Sequence, residues 1–140
     1  MPEMKEHAVL DIRVIAPLLS VFDIPASIRF YCDKLGFRII GSDQKPAPDF
    51  DWVLLDLNGV QLMLNTAYEK PERPANPDTV RIAAHKDVCL YFGVPDVDGA
   101  YEHLKSVGLQ TKPPKVAPYG MKQLYLTDPD GYMLCFKWRA

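Results

Sequence analysis

The chain repeats itself. Val21-Phe22-Asp23-Ile24 returns about 73 residues later as Val94-Pro95-Asp96-Val97, and Leu35-Gly36-Phe37 returns one residue closer as Val107-Gly108-Leu109. Two copies of such a segment in 140 residues restrict the fold to a pair of like supersecondary units, each reading strand, Asp, helix, Gly, strand. The first helix sets Ile24, Ile28, Tyr31 and Leu35 on one stripe; the second sets Val97, Ala100, Tyr101, Leu104 and Val107 likewise. Asp23 and Asp96 stand where a carboxylate would cap the first free amides, and Gly36 and Gly108 suit the left-handed stop.

Strands are expected at Val14 to Val21, Phe37 to Ser42, Asp51 to Leu57, Val60 to Asn65, Val88 to Val94, Thr111 to Val116, Lys122 to Thr127 and Tyr132 to Trp138. Pro113-Pro114 makes the Thr111 segment an edge strand at most. The organisation read from this is an N-terminal arm over residues 1–13, a first βαβββ module over 14–65, an inter-module loop over 66–87 and a second module over 88–140. The loop, with Pro71, Pro74 and Pro77, is expected to run as a surface connection. The charged arm is expected to reach over a neighbouring subunit.

Turn chemistry sets the register. Asn58-Gly59 suits a two-residue hairpin turn, and Pro129-Asp130-Gly131 suits a type I turn with a glycine bulge. Val53, Leu55, Leu57, Val60, Leu62 and Leu64 then share a face fit for covering by a helix, leaving Trp52, Leu54, Asp56, Gln61, Met63 and Asn65 opposite. In the second half Leu124, Leu126, Tyr132, Leu134 and Phe136 pack inward, against Gln123, Tyr125, Met133, Cys135 and Lys137. A face that is apolar and aromatic with a few polar groups is typical of small-molecule pockets, and equally of a buried subunit interface.

Composition narrows the partners. The chain is 48% hydrophobic, enough for a packed core, and its 16 basic and 18 acidic residues are intermixed, so no stripe matches a phosphate backbone. No apolar run approaches a membrane span and the start resembles no signal peptide, so a cytoplasmic protein without nucleic-acid or membrane partners is expected. Three widely spaced cysteines, Cys32, Cys89 and Cys135, suit free thiols. His7 falls in the arm; His85 and His103 are expected in solvent.

Val21-Phe22-Asp23 through Phe30-Tyr31-Cys32-Asp33-Lys34-Leu35-Gly36-Phe37, with the closing Asp128-Pro129-Asp130-Gly131-Tyr132, resembles the signature of the vicinal-oxygen-chelate superfamily of glyoxalases, bleomycin-resistance proteins and extradiol dioxygenases. The resemblance implies an α+β fold of two tandem βαβββ modules forming a half-open curved sheet, usually in a homodimer. It also implies four metal-ligand positions, which fall here on Ala16, Met63, Cys89 and Cys135. None carries the His, Gln or Glu of the family's enzymes; a methyl group cannot coordinate, and a thioether is a weak ligand for a hard or borderline divalent ion. The resemblance therefore implies the metal-free, bleomycin-resistance-like branch. It predicts no cofactor, no catalytic set, and a small aromatic or amphipathic ligand held by Trp52, Gln61, Met63, Asn65, Cys89, Tyr91, Gln123, Tyr125, Cys135 and Lys137. The alternatives are a metal-dependent enzyme of the lactoylglutathione lyase or dioxygenase type, and an interaction module whose open face is filled by a partner.

Overall fold

The structure, a computed structural model, describes residues 9–140. Two four-stranded mixed sheets are built with the same order. The first comprises β1 (Leu18–Val21), β2 (Arg38–Ser42), β3 (Trp52–Leu57) and β4 (Val60–Thr66), ordered β1-β4-β3-β2. The second comprises β5 (Cys89–Gly93), β6 (Lys115–Val116), β7 (Met121–Thr127) and β8 (Met133–Arg139), ordered β5-β8-β7-β6. In each sheet the first and last strands in the chain pair in parallel and the others antiparallel, as a strand, crossover helix and returning hairpin require.

Helix α1 begins as Ile24–Ile28 and continues as a π-helical segment, Arg29–Lys34; its counterpart α3 is Val97–Ser106. The two helices start differently. Asp96 caps α3 through Gly99 N at 2.9 Å, whereas among the described residues the Asp23 side chain accepts no capping bond and pairs with Arg73 at 3.6 Å. Pro25 in the first turn of α1 already removes one donor that a cap would serve.

Strand ends differ from expectation where proline intervenes. Pro17 has no N–H to give the ladder, so β1 starts at Leu18 although Pro17 O still accepts Met63 N at 2.8 Å. Pro113-Pro114 shortens the edge strand β6 to Lys115–Val116. The Asn58-Gly59 turn, with φ of 55° and 86°, places Leu57 opposite Val60 and so delivers the alternation read from the sequence.

The inward faces form one core shared by both modules, including Val53, Leu55, Leu62 and Leu64 from the first and Leu124, Leu126 and Leu134 from the second. Phe37 meets Phe92 edge-on across the junction, with centroids 6.4 Å apart. A polar latch completes it. Buried Asp128 accepts the Tyr31 hydroxyl at 2.6 Å and the amides of Asp130 and Tyr132, both at 2.9 Å, while buried Asp130 accepts Phe22 N at 2.7 Å.

The connection between the modules is more structured than its prolines imply. It holds a 3-10 turn, Lys70–Glu72, helix α2, Thr79–Ala84, and a second 3-10 turn, His85–Asp87. Asp78 caps α2 through Val80 N at 3.0 Å. Helix α2 lies directly on the closing turn: a Cβ on Gly131 would stand 2.5 Å from Ile82 O, so only glycine admits that approach. Arg81 reaches Ser20 O and Asp130, and His85 stacks on Tyr132 with centroids 3.9 Å apart while its Nδ1 donates to Asp130 O at 2.7 Å. His85 is thus half-buried in the junction rather than in solvent; His103 is exposed, as expected.

Candidate functional site

Each sheet turns one face to the shared core and leaves the other open. On the first sheet the ladder sets Trp52 opposite Asn65, Leu54 opposite Met63 and Asp56 opposite Gln61. All six are half-buried, unlike the fully covered Val53, Leu55 and Leu64 between them. Parallel pairing adds Leu18 beside Met63 and Ser20 beside Asn65, and Arg38 of β2 faces Asp56. This surface is apolar in the middle, with a cation and a carboxylate facing each other at one end.

The second open face is organised in three rows. Tyr91, Cys135 and Tyr125 lie side by side on β5, β8 and β7. One step along the strands, Cys89, Met133 and Thr127 form a sulfur-rich row, and the Thr127 hydroxyl donates to Met133 Sδ at 3.4 Å. One step the other way, Gly93, Lys137, Gln123 and Lys115 form a row with two ammonium groups and no acid. The Tyr125 hydroxyl lies 3.5 Å from that of Tyr91 and 3.3 Å from Gln123 Oε1, and Gln123 Nε2 donates to the Tyr119 hydroxyl at 2.7 Å.

The hydrogen bond with Tyr91, and after it burial, raise the Tyr125 pKa above the ordinary phenol range, so its hydroxyl stays protonated. Burial raises the thiol pKa of both Cys89 and Cys135, against weaker opposing hydrogen bonds from Tyr91 and Tyr125. Neutral thiols of this kind behave as small apolar groups rather than nucleophiles.

The ten residues expected to line a site fall into two groups. Trp52, Gln61, Met63 and Asn65 lie on the first open face, and Cys89, Tyr91, Gln123, Tyr125, Cys135 and Lys137 on the second. Gln61, Cys89 and Tyr91 meet around a hollow of ≈ 560 Å³ walled by Arg13, Val14 and Ile15. Gln123, Tyr125 and Met133 border a larger hollow, ≈ 840 Å³, closed by Lys112, Lys115 and Tyr119. Trp52, Met63, Asn65, Lys137 and the fully buried Cys135 border neither. Lys115, Tyr119 and Arg38 were not anticipated; for Lys115 the available signal was its spacing from the Tyr119-Gly120 turn, which fixes it opposite Gln123.

Comparison with known proteins bears on this arrangement. Residues 11–136 match the family model described as Glyoxalase/Bleomycin resistance protein/Dioxygenase superfamily. The chain belongs to that superfamily. A relative is the uncharacterized protein YaeR of Escherichia coli K12, 33% identical over 114 residues, covering 80% of this chain and 84% of YaeR. A bleomycin resistance protein of Geobacillus stearothermophilus is 27% identical over 127 residues, covering 86% and 92% respectively. Among solved structures, the bleomycin resistance determinant encoded on transposon Tn5 superposes with a TM-score of 0.69 at 22% identity, over 91% of this chain and 98% of that one. Sequence and fold together place this superfamily member beside the bleomycin-resistance branch.

The superfamily's enzymes imply a divalent metal, and the donor chemistry here does not fit it. Met63 supplies only a weakly donating thioether, Ala16 supplies a methyl group outside the ladder that cannot coordinate, and two thiols, Cys89 and Cys135, replace the oxygen and imidazole donors. Among the described residues no three His, Cys, Asp or Glu side chains converge. No helix of the described chain is long and apolar enough to cross a membrane.

Proposed function

We propose that this superfamily member is a metal-free binding protein that sequesters a small aromatic or amphipathic molecule, and that its cavity is completed in a homodimer by apposition of the open sheet faces. The observation that carries the reading is the second open face, where Tyr91 and Tyr125 remain 54% and 42% exposed, Tyr91 beside the ≈ 560 Å³ hollow and Tyr125 beside the ≈ 840 Å³ one. Aromatic groups left uncovered in a row, with hydroxyls and amides spaced among them, offer stacking area and orienting hydrogen bonds together. The likeness to bleomycin-resistance proteins in sequence and fold supports binding rather than turnover.

The dimer reading draws further support from the segment before β1. Val9, Leu10, Ile12, Val14 and Ile15 are all exposed there, an apolar strip of the kind a neighbouring subunit covers. Residues 1–8 of the arm lie outside the described residues. A cytoplasmic site of action accords with three free cysteines.

The test combines mass and ligand response. Light scattering after size exclusion is expected to give twice the chain mass, and deleting residues 1–13 to shift it toward monomer. A thermal-shift screen of aromatic natural products and of bleomycin, with and without nickel, zinc, iron or manganese, is expected to show stabilisation by aromatics that metal does not alter. Stoichiometric protein-bound divalent metal, with methylglyoxal–glutathione isomerisation or ring-cleavage activity lost on chelation, would replace this reading by the enzymatic one. A monomer that no small molecule stabilises would leave the interaction module.

A further inference from the structure

From the charge on the open faces we infer that the ligand is an aromatic anion, a flat ring bearing a carboxylate, with the ring on the Tyr91–Cys135–Tyr125 row and the carboxylate between Lys137 and Lys115. This rests on the binding reading above and specifies its ligand. The two rows are adjacent on the same strands, so they stand two residues apart, about 6.6 Å along the sheet, roughly the span of an aryl ring and its carboxylate. Lys115 and Lys137 flank Gln123 on its two neighbouring strands, about 10 Å apart at the backbone, which leaves room for an anion between flexible ammonium groups. Gly93, next to Lys137 on the far side, adds no side chain to fill that end of the row.

The charge is uncompensated. Lys45, Lys70, Lys105 and Lys122 each find a carboxylate, but among the described residues Lys112, Lys115 and Lys137 have none within 4.0 Å. Lys112 and Lys115 both wall the ≈ 840 Å³ hollow, and that wall contains no Asp or Glu. The first open face adds no net negative charge, because its one strand carboxylate, Asp56, stands opposite Arg38 in the ladder. Apposing the two faces therefore yields a cavity with surplus positive charge over an aromatic floor. An anion whose water is partly removed there gains from charge-assisted hydrogen bonds, whereas a cationic ligand meets repulsion.

The experiment uses the full chain and three isosteric probes: 2-naphthoate, 2-naphthamide and 2-naphthylmethylammonium, titrated by calorimetry. Naphthoate is expected to bind about tenfold more tightly than the amide, and the ammonium compound most weakly. In the Lys115→Gln/Lys137→Gln double variant the naphthoate-to-naphthamide ratio is expected to fall to about one, and about 1 M salt, with a screening length near 3 Å, to reduce it in the parent protein. Lys105→Gln, remote from the face and paired with Glu102, controls for loss of general positive charge. Unchanged thermal melting of the double variant shows that its fold is intact. Equal binding of all three probes, tighter binding of the ammonium compound, or a ratio unmoved by the double substitution overturns the anion assignment while leaving the binding reading in place. Failure of every aromatic probe to bind overturns both.

Discussion

Tyr31→Phe removes one oxygen from a buried polar contact between the modules. The hydroxyl donates to Asp128 at 2.6 Å, and both residues are buried. The phenyl ring that remains keeps its edge-on contacts with Phe30 and Phe37, at 4.9 Å and 6.1 Å, so no sizeable cavity opens. What changes is the carboxylate: Asp128 retains two backbone donors, from Asp130 and Tyr132, and loses the third. A hydrogen bond to a charged group contributes about 1.5–3 kcal/mol, and here burial prevents water from replacing the lost donor, so a destabilisation of about 2 kcal/mol is expected. For a domain of this size that corresponds to a fall in Tm of roughly 6–8 °C. Urea unfolding of the parent, Tyr31→Phe, Asp128→Asn and the double variant would give the pairwise coupling, expected at about 1–2 kcal/mol. The pH dependence is diagnostic. Burial already raises the Asp128 pKa and the Tyr31 bond opposes that rise, so the penalty of Tyr31→Phe is expected to be full at neutral pH and to shrink as Asp128 is protonated on acidification. A penalty below about 0.5 kcal/mol at pH 7, or one that does not change on acidification, would refute the latch as a stabilising contact.

Three further outcomes follow from the same geometry. Gly131→Ala combines positive φ with a Cβ 2.5 Å from Ile82 O and is expected to cost at least about 3 kcal/mol in chemical denaturation. Gly59→Ala, with similar φ but nothing within 4 Å, should cost only about 1–2 kcal/mol. Asp96→Ala removes a working helix cap and is expected to lower stability by about 1 kcal/mol, while Asp23→Ala, which removes none, should stay within about 0.5 kcal/mol. Tyr31, Tyr132, Cys32, Cys89 and Cys135 all have folded-state pKa values raised, first by burial. The unfolded chain therefore sheds these protons first, so stability held below the ordinary thiol and phenol range of about 8.5–10 is lost as pH rises through it; Tm measured across that range should fall, and a flat profile would contradict the assignments.

What the sequence by itself determined is the part of the molecule governed by near neighbours. The Asn58-Gly59 turn permits one hairpin register, and strict alternation then assigns Trp52, Gln61, Met63 and Asn65 to one face without reference to the rest of the chain. The same logic around Asp130-Gly131 puts Gln123, Tyr125, Cys135 and Lys137 on one face, to which parallel pairing adds Cys89 and Tyr91, with Cys135 itself fully covered by its neighbours. The fold followed from the repeat, because like segments form like units. Only the tertiary structure decided how those units meet. Tyr31 and Asp128 are 97 positions apart, and Phe22 and Asp130 are 108 apart, so no local pattern pairs them. Helix α2 and the docked position of His85 are not legible for a related reason: a six-residue helix has too few residues to show periodicity, and it is held by docking on a glycine whose missing side chain matters only once Ile82 arrives. The failed cap at Asp23 and the cation row through Lys115 belong with these. Both depend on where a side chain goes when the far half of the chain is packed beside it, a free-energy balance that spacing along the backbone does not encode.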